Sequence, residues 1–143
     1  MNKTTLLATL LLLVVSTLTG CADRPSDGDL DRQWQLMEIT AADGTVTHPA
    51  ERTYYCFYRE VAQINIVDGT ELYGILHYVA GKSLSIDFPE NTAAEIAGAG
   101  LPVSPGTDPD ATGLTVSFGV VSITSSRLVL STEAGDTYTF RAF

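Results

Sequence analysis

The sequence predicts an all-β domain whose eight strands form an antiparallel barrel or sandwich. From residue 33 onward, short runs that alternate apolar and polar residues follow one another and are rich in Val, Ile, Thr, Tyr and Phe. Most of these runs end at Asp-Gly or at another glycine turn. Their regular spacing is typical of antiparallel barrels and sandwiches.

The length and composition indicate one folded domain with an appendage. The chain has 143 residues, of which 45% are apolar and 17% charged, so it can build a hydrophobic core and is too apolar for a disordered chain. All aromatic residues follow residue 30. The core is therefore expected in the part of the chain that carries the β pattern, and a multidomain enzyme is excluded by length.

The predicted strands follow one another with few interruptions. The first ends at Asp43-Gly44 and the third at Asp68-Gly69, because Asp-Gly accepts the positive φ angles of a tight hairpin. Gly135 lies in the turn that joins the last two strands. In chain order the predicted strands are 33–40, 53–59, 61–67, 71–80, 84–88, 114–124, 128–132 and 137–143.

Residues 89–113 interrupt the β pattern. Asn91 or Thr92 is suited to cap a short helix over residues 93–97, and the glycines and prolines that follow predict an open loop. Loops of this length in compact domains are usually functional or disordered. Asp108 and Asp110 have the spacing of calcium ligands, but no bidentate Glu follows at the needed distance, so no metal site and no cofactor are predicted.

The first twenty residues have the layout of a secretory signal peptide. Lys3 precedes an apolar stretch over 6–18 that is too short for a spanning helix of about 20 residues. The following Leu18-Thr19-Gly20-Cys21 resembles the lipobox of bacterial lipoproteins, which implies cleavage before Cys21 and acylation of its sulfur. Cys56 is then left without an intrachain partner, and its aromatic neighbours predict a small buried hydrophobic side chain.

Residues 21–31 are predicted to form an acylated, polar tether to the domain at 32–143. The tether is rich in Asp and similar to the acidic stretch that directs Bacteroidetes lipoproteins to the outer face of the outer membrane; a solvated linker is the alternative. The formal charge of −9 argues against nucleic acid and against attraction to anionic headgroups. Membrane attachment is therefore assigned to lipid on Cys21, in the bacterial cell envelope and at its outer membrane.

Two residues at the ends of the β region carry a family resemblance. Trp34 in the first strand and Arg141 in the last resemble the calycin group, which includes the lipocalins, where a basic residue packs across such a Trp and closes the barrel. Position 32 departs from the lipocalin pattern, with Arg in place of Gly. The WQL opening, the YY-x-F block at 54–57 and the closing TFRAF are similar to lipocalin-like lipoproteins of gut Bacteroidetes. This resemblance implies an eight-stranded barrel and an envelope location, and it implies no activity.

The sequence contains no arrangement that predicts an enzyme. His48 and His77 are not at the spacing of a metal pair, and the chain has neither a G-x-S-x-G elbow nor a glycine-rich phosphate loop. His77 is interpreted as a satisfied histidine of the barrel interior. Acidic residues in the strands are interpreted as solvated; these are Glu38, Glu60, Glu71 and Asp87.

The leading hypothesis is a binding module for a small hydrophobic or amphipathic ligand in or at the mouth of the barrel. Its predicted lining comes from the polar-tipped side chains of the second and fourth strands: Tyr54, Tyr58, Arg59, His77 and Tyr78. The alternative is an accessory or inhibitor protein with a packed barrel, which binds another envelope protein through its outer face or the 101–113 loop. The volume inside the barrel distinguishes the two hypotheses.

Overall fold

A computed structural model describes residues 30–143 of the chain. The predicted signal peptide 1–20, the acylated Cys21 and the tether up to residue 29 lie outside the described residues. Among residues 30–143, no helix is long and apolar enough to cross a membrane.

Residues 30–143 form nine strands and one helix. Eight of the strands close a barrel in which β1 pairs with both β3 and β9, and β2 pairs with β1 alone; every pairing is antiparallel. The elements are β1 (Gln33–Thr40), β2 (Val46–Thr47), β3 (Thr53–Tyr58), β4 (Val61–Ile66), β5 (Glu71–Val79), β6 (Ser83–Phe88), α1 (Ala93–Gly98), β7 (Leu114–Ile123), β8 (Arg127–Ser131) and β9 (Thr137–Ala142). The predicted all-β class and eight-stranded antiparallel barrel are confirmed.

The strand ends differ from the prediction where turns begin earlier. Arg59 was assigned to the second predicted strand, yet it lies in a turn with a φ of 54°. Its backbone N–H donates to Asp31 Oδ1 at 3.1 Å, which holds the turn in place. The two-residue strand β2 was not predicted, because Val46 and Thr47 are too short a run to show alternation and become a strand only by pairing with Thr40 and Ile39.

Aromatic and aliphatic side chains fill the inside of the barrel. Tyr55 and Phe57 point inward from β3, and the Tyr55 ring lies 4.8 Å from that of Phe140. Ring centroids of Phe118 and Tyr138 are 5.4 Å apart near the other end. The inward residues of all eight barrel strands belong to one hydrophobic cluster. The barrel therefore has a packed core and encloses no ligand-sized space along its axis.

Gly74 is required where β5 and β6 pack closely. A Cβ at this position would lie 2.3 Å from Ile86 Cγ2 and 2.9 Å from the Asp87 carbonyl oxygen. We expect Gly74→Ala to lower the free energy of unfolding by about 1 to 3 kcal/mol, because the neighbouring strand must shift. Gly98→Ala is the matched control, since its Cβ would meet nothing within 4 Å. Equal midpoints of urea unfolding for the two variants would contradict this packing.

The end of the barrel where the described chain begins, here called the base, is closed by Trp34. Its indole Nε1 donates to the Leu30 carbonyl at 3.0 Å, and both residues are completely buried. The Cζ atom of Arg32 lies 5.4 Å from the centre of the indole ring, and the Arg32 guanidinium donates to the Ser125 carbonyl. The base is thus tied to the β7–β8 turn.

Arg141 does not occupy the place that the resemblance implied. Because Phe140 points inward, its neighbour Arg141 points outward, where its Nε donates to Gln35 Oε1 at 2.9 Å. Arg32, at the position where the lipocalin pattern has Gly, supplies the cation over Trp34. The predicted cation–indole contact is present, but the assignment of its cation to Arg141 is corrected.

The opposite end, here called the mouth, is covered by α1 and the residues that follow it. Thr92 caps the helix: its Oγ1 accepts from the Glu95 N–H at 3.2 Å, while Glu95 Oε2 accepts from the Thr92 N–H at 2.8 Å. Ile96 and Leu101 are buried against the core. The predicted short helix is confirmed, and it serves as a lid over the strand ends.

Candidate binding cleft at the mouth of the barrel

A cleft of about 650 Å³ opens beside the lid. It lies between the loop that follows α1, the first half of β7, and the β8–β9 turn. Its volume falls in the range of about 300 to 1,000 Å³ that is typical of small-molecule sites. Its lining consists of Pro102, Val103, Ser104, Pro105, Thr107, Leu114, Thr115, Val116, Ser117, Thr132, Glu133, Ala134, Asp136 and Tyr138. A second cleft beside His48 and Gly100 measures about 280 Å³.

The cleft exists because β7 is longer than β8 at the mouth. The β7–β8 pairing begins only at Gly119 and Ser131, so residues 114–118 of β7 pair with β6 alone. The Val120 N–H donates to the Lys82 carbonyl at 2.9 Å, on the β6 side. Because backbone groups alternate along a strand, those of Thr115 and Ser117 face the opposite side, toward the cleft. The wall therefore offers backbone donors and acceptors to a ligand.

Apolar and polar groups converge on the cleft from different elements. Val103, Leu114 and the prolines of the loop form its apolar wall. The Tyr138 hydroxyl at its floor donates to the Gly100 carbonyl at 3.0 Å and so links β9 to the lid. Asp136 is held in the turn, where its Oδ1 accepts from the Ala42 N–H at 3.1 Å. This combination suits an amphipathic molecule.

Acidic residues dominate the mouth. Every Asp and Glu between residues 30 and 143 lies on the loops or strand halves of the mouth side, except Asp31 and Glu60. Within the same range, Arg52 is the single Arg or Lys on that side. Glu133 and Asp136 belong to the cleft itself. The cleft therefore lies in a field that attracts cations and repels anions.

The pKa of the Tyr138 hydroxyl, at the floor of the cleft, is shifted by its surroundings. Burial, and then the nearby Asp136, raises this pKa from 10.0 to about 12. A group whose folded pKa is raised adds stability that is complete below pH 10 and is lost as the pH rises through 12. We therefore expect the melting temperature to fall more between pH 9 and 12 in the wild type than in Tyr138→Phe.

The Tyr138→Phe variant also loses the hydrogen bond to Gly100, which we expect to cost about 1 kcal/mol at neutral pH. Tyr58→Phe is the control, because Tyr58 is 62% exposed. Melting curves recorded across this pH range check the prediction, and parallel curves for wild type and Tyr138→Phe would contradict it.

The predicted ligand residues of β3 and its turn lie on the outer wall. Tyr54 is partly buried and packs edge-on against Phe143, with ring centroids 5.0 Å apart. Tyr58 is exposed beneath Arg59, whose Cζ lies 5.2 Å from the ring centre. Inward positions on this strand belong to Tyr55 and Phe57 instead.

The two predicted residues of β5 are also away from the cleft. His77 points outward and its Nε2 lies 2.9 Å from Asp87 Oδ2, so its interpretation as an interior histidine is corrected. Tyr78 is partly buried near the base, where its hydroxyl accepts from the Gly81 N–H at 3.2 Å. Of the five predicted residues, none lines the large cleft, and their role in ligand binding stays a prediction.

The outer wall carries two further polar features. Asp87 accepts from His77 and from Thr115 Oγ1, and chiefly the Thr115 hydroxyl lowers the pKa of this carboxyl. Cys56 is half-buried on the outer face beside Asn65 Nδ2, which corrects the expectation of a core thiol; burial raises its pKa. Between residues 30 and 143, no three His, Cys, Asp or Glu residues are close enough to hold a metal ion.

Comparisons with known proteins agree with the barrel. The sequence profile of a family described as lipocalin-like domain matches residues 16–143. A crystal structure of a lipocalin-like protein from Bacteroides uniformis ATCC 8492 is 27% identical, with a TM-score of 0.63 over 81% of this chain and 100% of that one.

A crystal structure of an uncharacterized protein from Bacteroides eggerthii DSM 20697 is 24% identical, with a TM-score of 0.53 over 78% of this chain and 98% of that one, and supports the fold alone. No curated protein matches the chain.

Proposed function

The chain belongs to the family of lipocalin-like domains, and on that premise we propose that it is a binding module whose mouth cleft takes a small amphipathic ligand. The observation that carries this proposal is the cleft of about 650 Å³ between the loop, β7 and the β8–β9 turn. The lipocalin-like barrel fold suggests a binding module, and this cleft combines a suitable volume with apolar and polar groups in its lining.

Packing of the barrel favours the mouth over the interior. The inward side chains near the barrel axis are 5% exposed or less from Trp34 through Tyr55 to Phe140. A ligand inside the strands would have to displace several of these rings. The same filled interior is compatible with the accessory-protein alternative, so the two hypotheses are distinguished by whether the cleft binds a small molecule.

The lining indicates the chemical class of the ligand. An alkyl chain fits against Val103 and Leu114, while a polar head meets the free backbone edge at Thr115 and Ser117. Glu133 and Asp136 disfavour an anionic head through charge repulsion. The proposed ligand is therefore an amphiphile with a neutral or cationic head.

Two probes of equal chain length test this class directly. Isothermal titration calorimetry with decylamine and with decanoate compares a cationic and an anionic head in two linear molecules of ten carbons each. We expect decylamine to bind and decanoate to bind at least tenfold more weakly. Tighter binding of decanoate would overturn the proposed ligand class. Binding of neither probe would overturn the cleft proposal and favour the accessory protein that contacts a partner through the 101–113 loop.

We also propose that the chain is a lipoprotein acylated on Cys21, on the basis of the lipobox-like Leu18-Thr19-Gly20-Cys21. Acylation would place the domain at the cell envelope, held to the outer membrane by lipid. Cys21→Ser is expected to abolish metabolic labelling with palmitate and to move the chain from the detergent phase to the aqueous phase. Cys56→Ser is the matched control and should keep its label. Palmitate incorporation that persists in Cys21→Ser would contradict the anchor.

A further inference from the structure

The base of the barrel combines basic and exposed apolar side chains. Each of the three hairpins that turn at this end has one basic and one exposed apolar side chain in its turn or in the last residues of its strands, and the C-terminal end of the chain has one of each as well. Val121 and Phe143 are 61% and 70% exposed. The pairs are Tyr58 with Arg59, Val79 with Lys82, Val121 with Arg127, and Phe143 with Arg141.

Among the residues that the structure describes, no carboxylate forms an ion pair with these basic groups. Within residues 30–143, the salt bridges involve histidines only, so no Arg or Lys is paired with an acidic side chain. Asp31 lies next to the β3–β4 turn, but its carboxylate accepts from the Arg59 backbone N–H. Arg127 and Arg141 are directly opposite each other on β8 and β9. Like charges in this position repel each other, and an external anion would relieve that repulsion.

The charge of the base is opposite to that of the mouth. Arg32, Arg59, Lys82, Arg127 and Arg141 all lie at the base, with Asp31 and Glu60 as the acidic residues there. The acidic mouth is separated from the base by the length of the strands, which is well beyond the screening length of about 8 Å at physiological ionic strength. Close to a surface, the base therefore acts as a cationic patch although the whole chain is acidic.

The chain also enters the domain at the base, at Leu30. Eight residues separate Cys21 from Leu30, and the nine steps from one Cα to the next span at most about 30 Å in an extended chain. An anchor at Cys21 would thus hold the base near the membrane.

We propose that the base of the barrel docks on an anionic lipid surface, with its basic side chains on the headgroups and its exposed apolar side chains at the interface. The mouth cleft then faces away from the membrane, toward the ligand in solution. This docking needs neither the ligand nor the acyl group, although an anchor would raise the concentration of the domain at the membrane. The Asp residues of the tether repel anionic lipids, and they are present in every variant compared below.

Vesicle sedimentation tests this docking on the chain that begins at residue 21 with Cys21→Ser, so that no acyl group contributes. We expect association with vesicles of phosphatidylcholine and phosphatidylglycerol that rises with the phosphatidylglycerol content and falls at high salt. Removing three of the basic residues, by Arg59→Gln, Lys82→Gln and Arg127→Gln together, is expected to weaken this association about a hundredfold.

A control of equal net charge separates position from total charge. Thr45→Glu, Thr112→Glu and Ala134→Glu together add the same negative charge at exposed positions of the mouth, and we expect their association to stay within about twofold of wild type.

The contribution of the exposed apolar side chains is tested separately. Val121→Ser with Phe143→Ser at the base should weaken vesicle association, while Val46→Ser with Val67→Ser at the mouth should not. Equal losses for base and mouth variants, equal binding to pure phosphatidylcholine, or no binding to either vesicle would overturn the proposal.

Discussion

Phe140→Ala is expected to lower the free energy of unfolding by about 3 to 5 kcal/mol, because it removes a completely buried ring from the packed interior. The Phe140 ring packs against the Tyr55 ring at a tilt of 59° and belongs to the main hydrophobic cluster. The surrounding strands are hydrogen-bonded on both sides and cannot collapse into the space. Urea unfolding of the variant measures the loss.

Phe143→Ala is the matched control for this variant. It removes the same ring three residues later, from a side chain that is 70% exposed, and should cost less than about 1 kcal/mol. The cavity left by Phe140→Ala would also admit a small apolar probe such as benzene, which the wild type should exclude. Equal stability losses for the two variants, or binding of benzene by the wild type, would show that the interior is not filled.

Ser117→Trp is expected to weaken the binding of decylamine by at least tenfold, because its indole would occupy the cleft beside the unpaired edge of β7. Ser117 is exposed and lines the cleft, so the substitution should leave the free energy of unfolding within about 0.5 kcal/mol of wild type. Calorimetric titration of the folded variant gives the change in affinity.

Its control lies on the neighbouring strand. Ser85 is the register partner of Ser117 on β6 and does not line the cleft. Ser85→Trp therefore adds the same side chain to the same wall and should leave decylamine affinity unchanged. If both tryptophans weaken binding equally, or neither does, the probe binds elsewhere.

Local chemistry accounts for what the sequence predicted correctly. Asp43-Gly44 and Asp68-Gly69 mark turns with glycine φ angles of 88° and 99°, so these two-residue motifs were sufficient to predict the turns. Thr92, one of the two caps that the sequence offered for the short helix, likewise marks the start of α1. These signals depend only on neighbours in the chain.

Interactions between distant elements account for what the sequence did not show. Residues 54–58 are apolar on both faces, so alternation separates Tyr54 from Tyr55 without saying which points inward; closure of the barrel decides it. The cleft depends on where β8 ends relative to the start of β7, a register that no local pattern contains. The sequence feature that could have indicated the cleft is the long loop before β7, because its residues 102–107 form one wall of the cleft.

The net charge of the chain does not predict how charge is distributed over the surface of the domain. The value of −9 led to the expectation that the domain is not drawn to anionic headgroups. Between residues 30 and 143, the acidic residues lie at the mouth except for Asp31 and Glu60, and the basic residues lie at the base except for Arg52. Topology therefore creates two surfaces of opposite sign from one acidic sequence, and each carries a separate proposal.

The most direct test of the mouth cleft is an amide NMR titration with decylamine of the chain that begins at residue 21 and carries Cys21→Ser. We expect chemical shift changes at the non-proline residues of 102–107, 114–117 and 132–138, the segments that form the cleft, and unchanged amides beside the interior rings of Tyr55 and Phe57. Shift changes centred on those interior strands, with the cleft residues unaffected, would contradict the account and place the ligand inside the barrel.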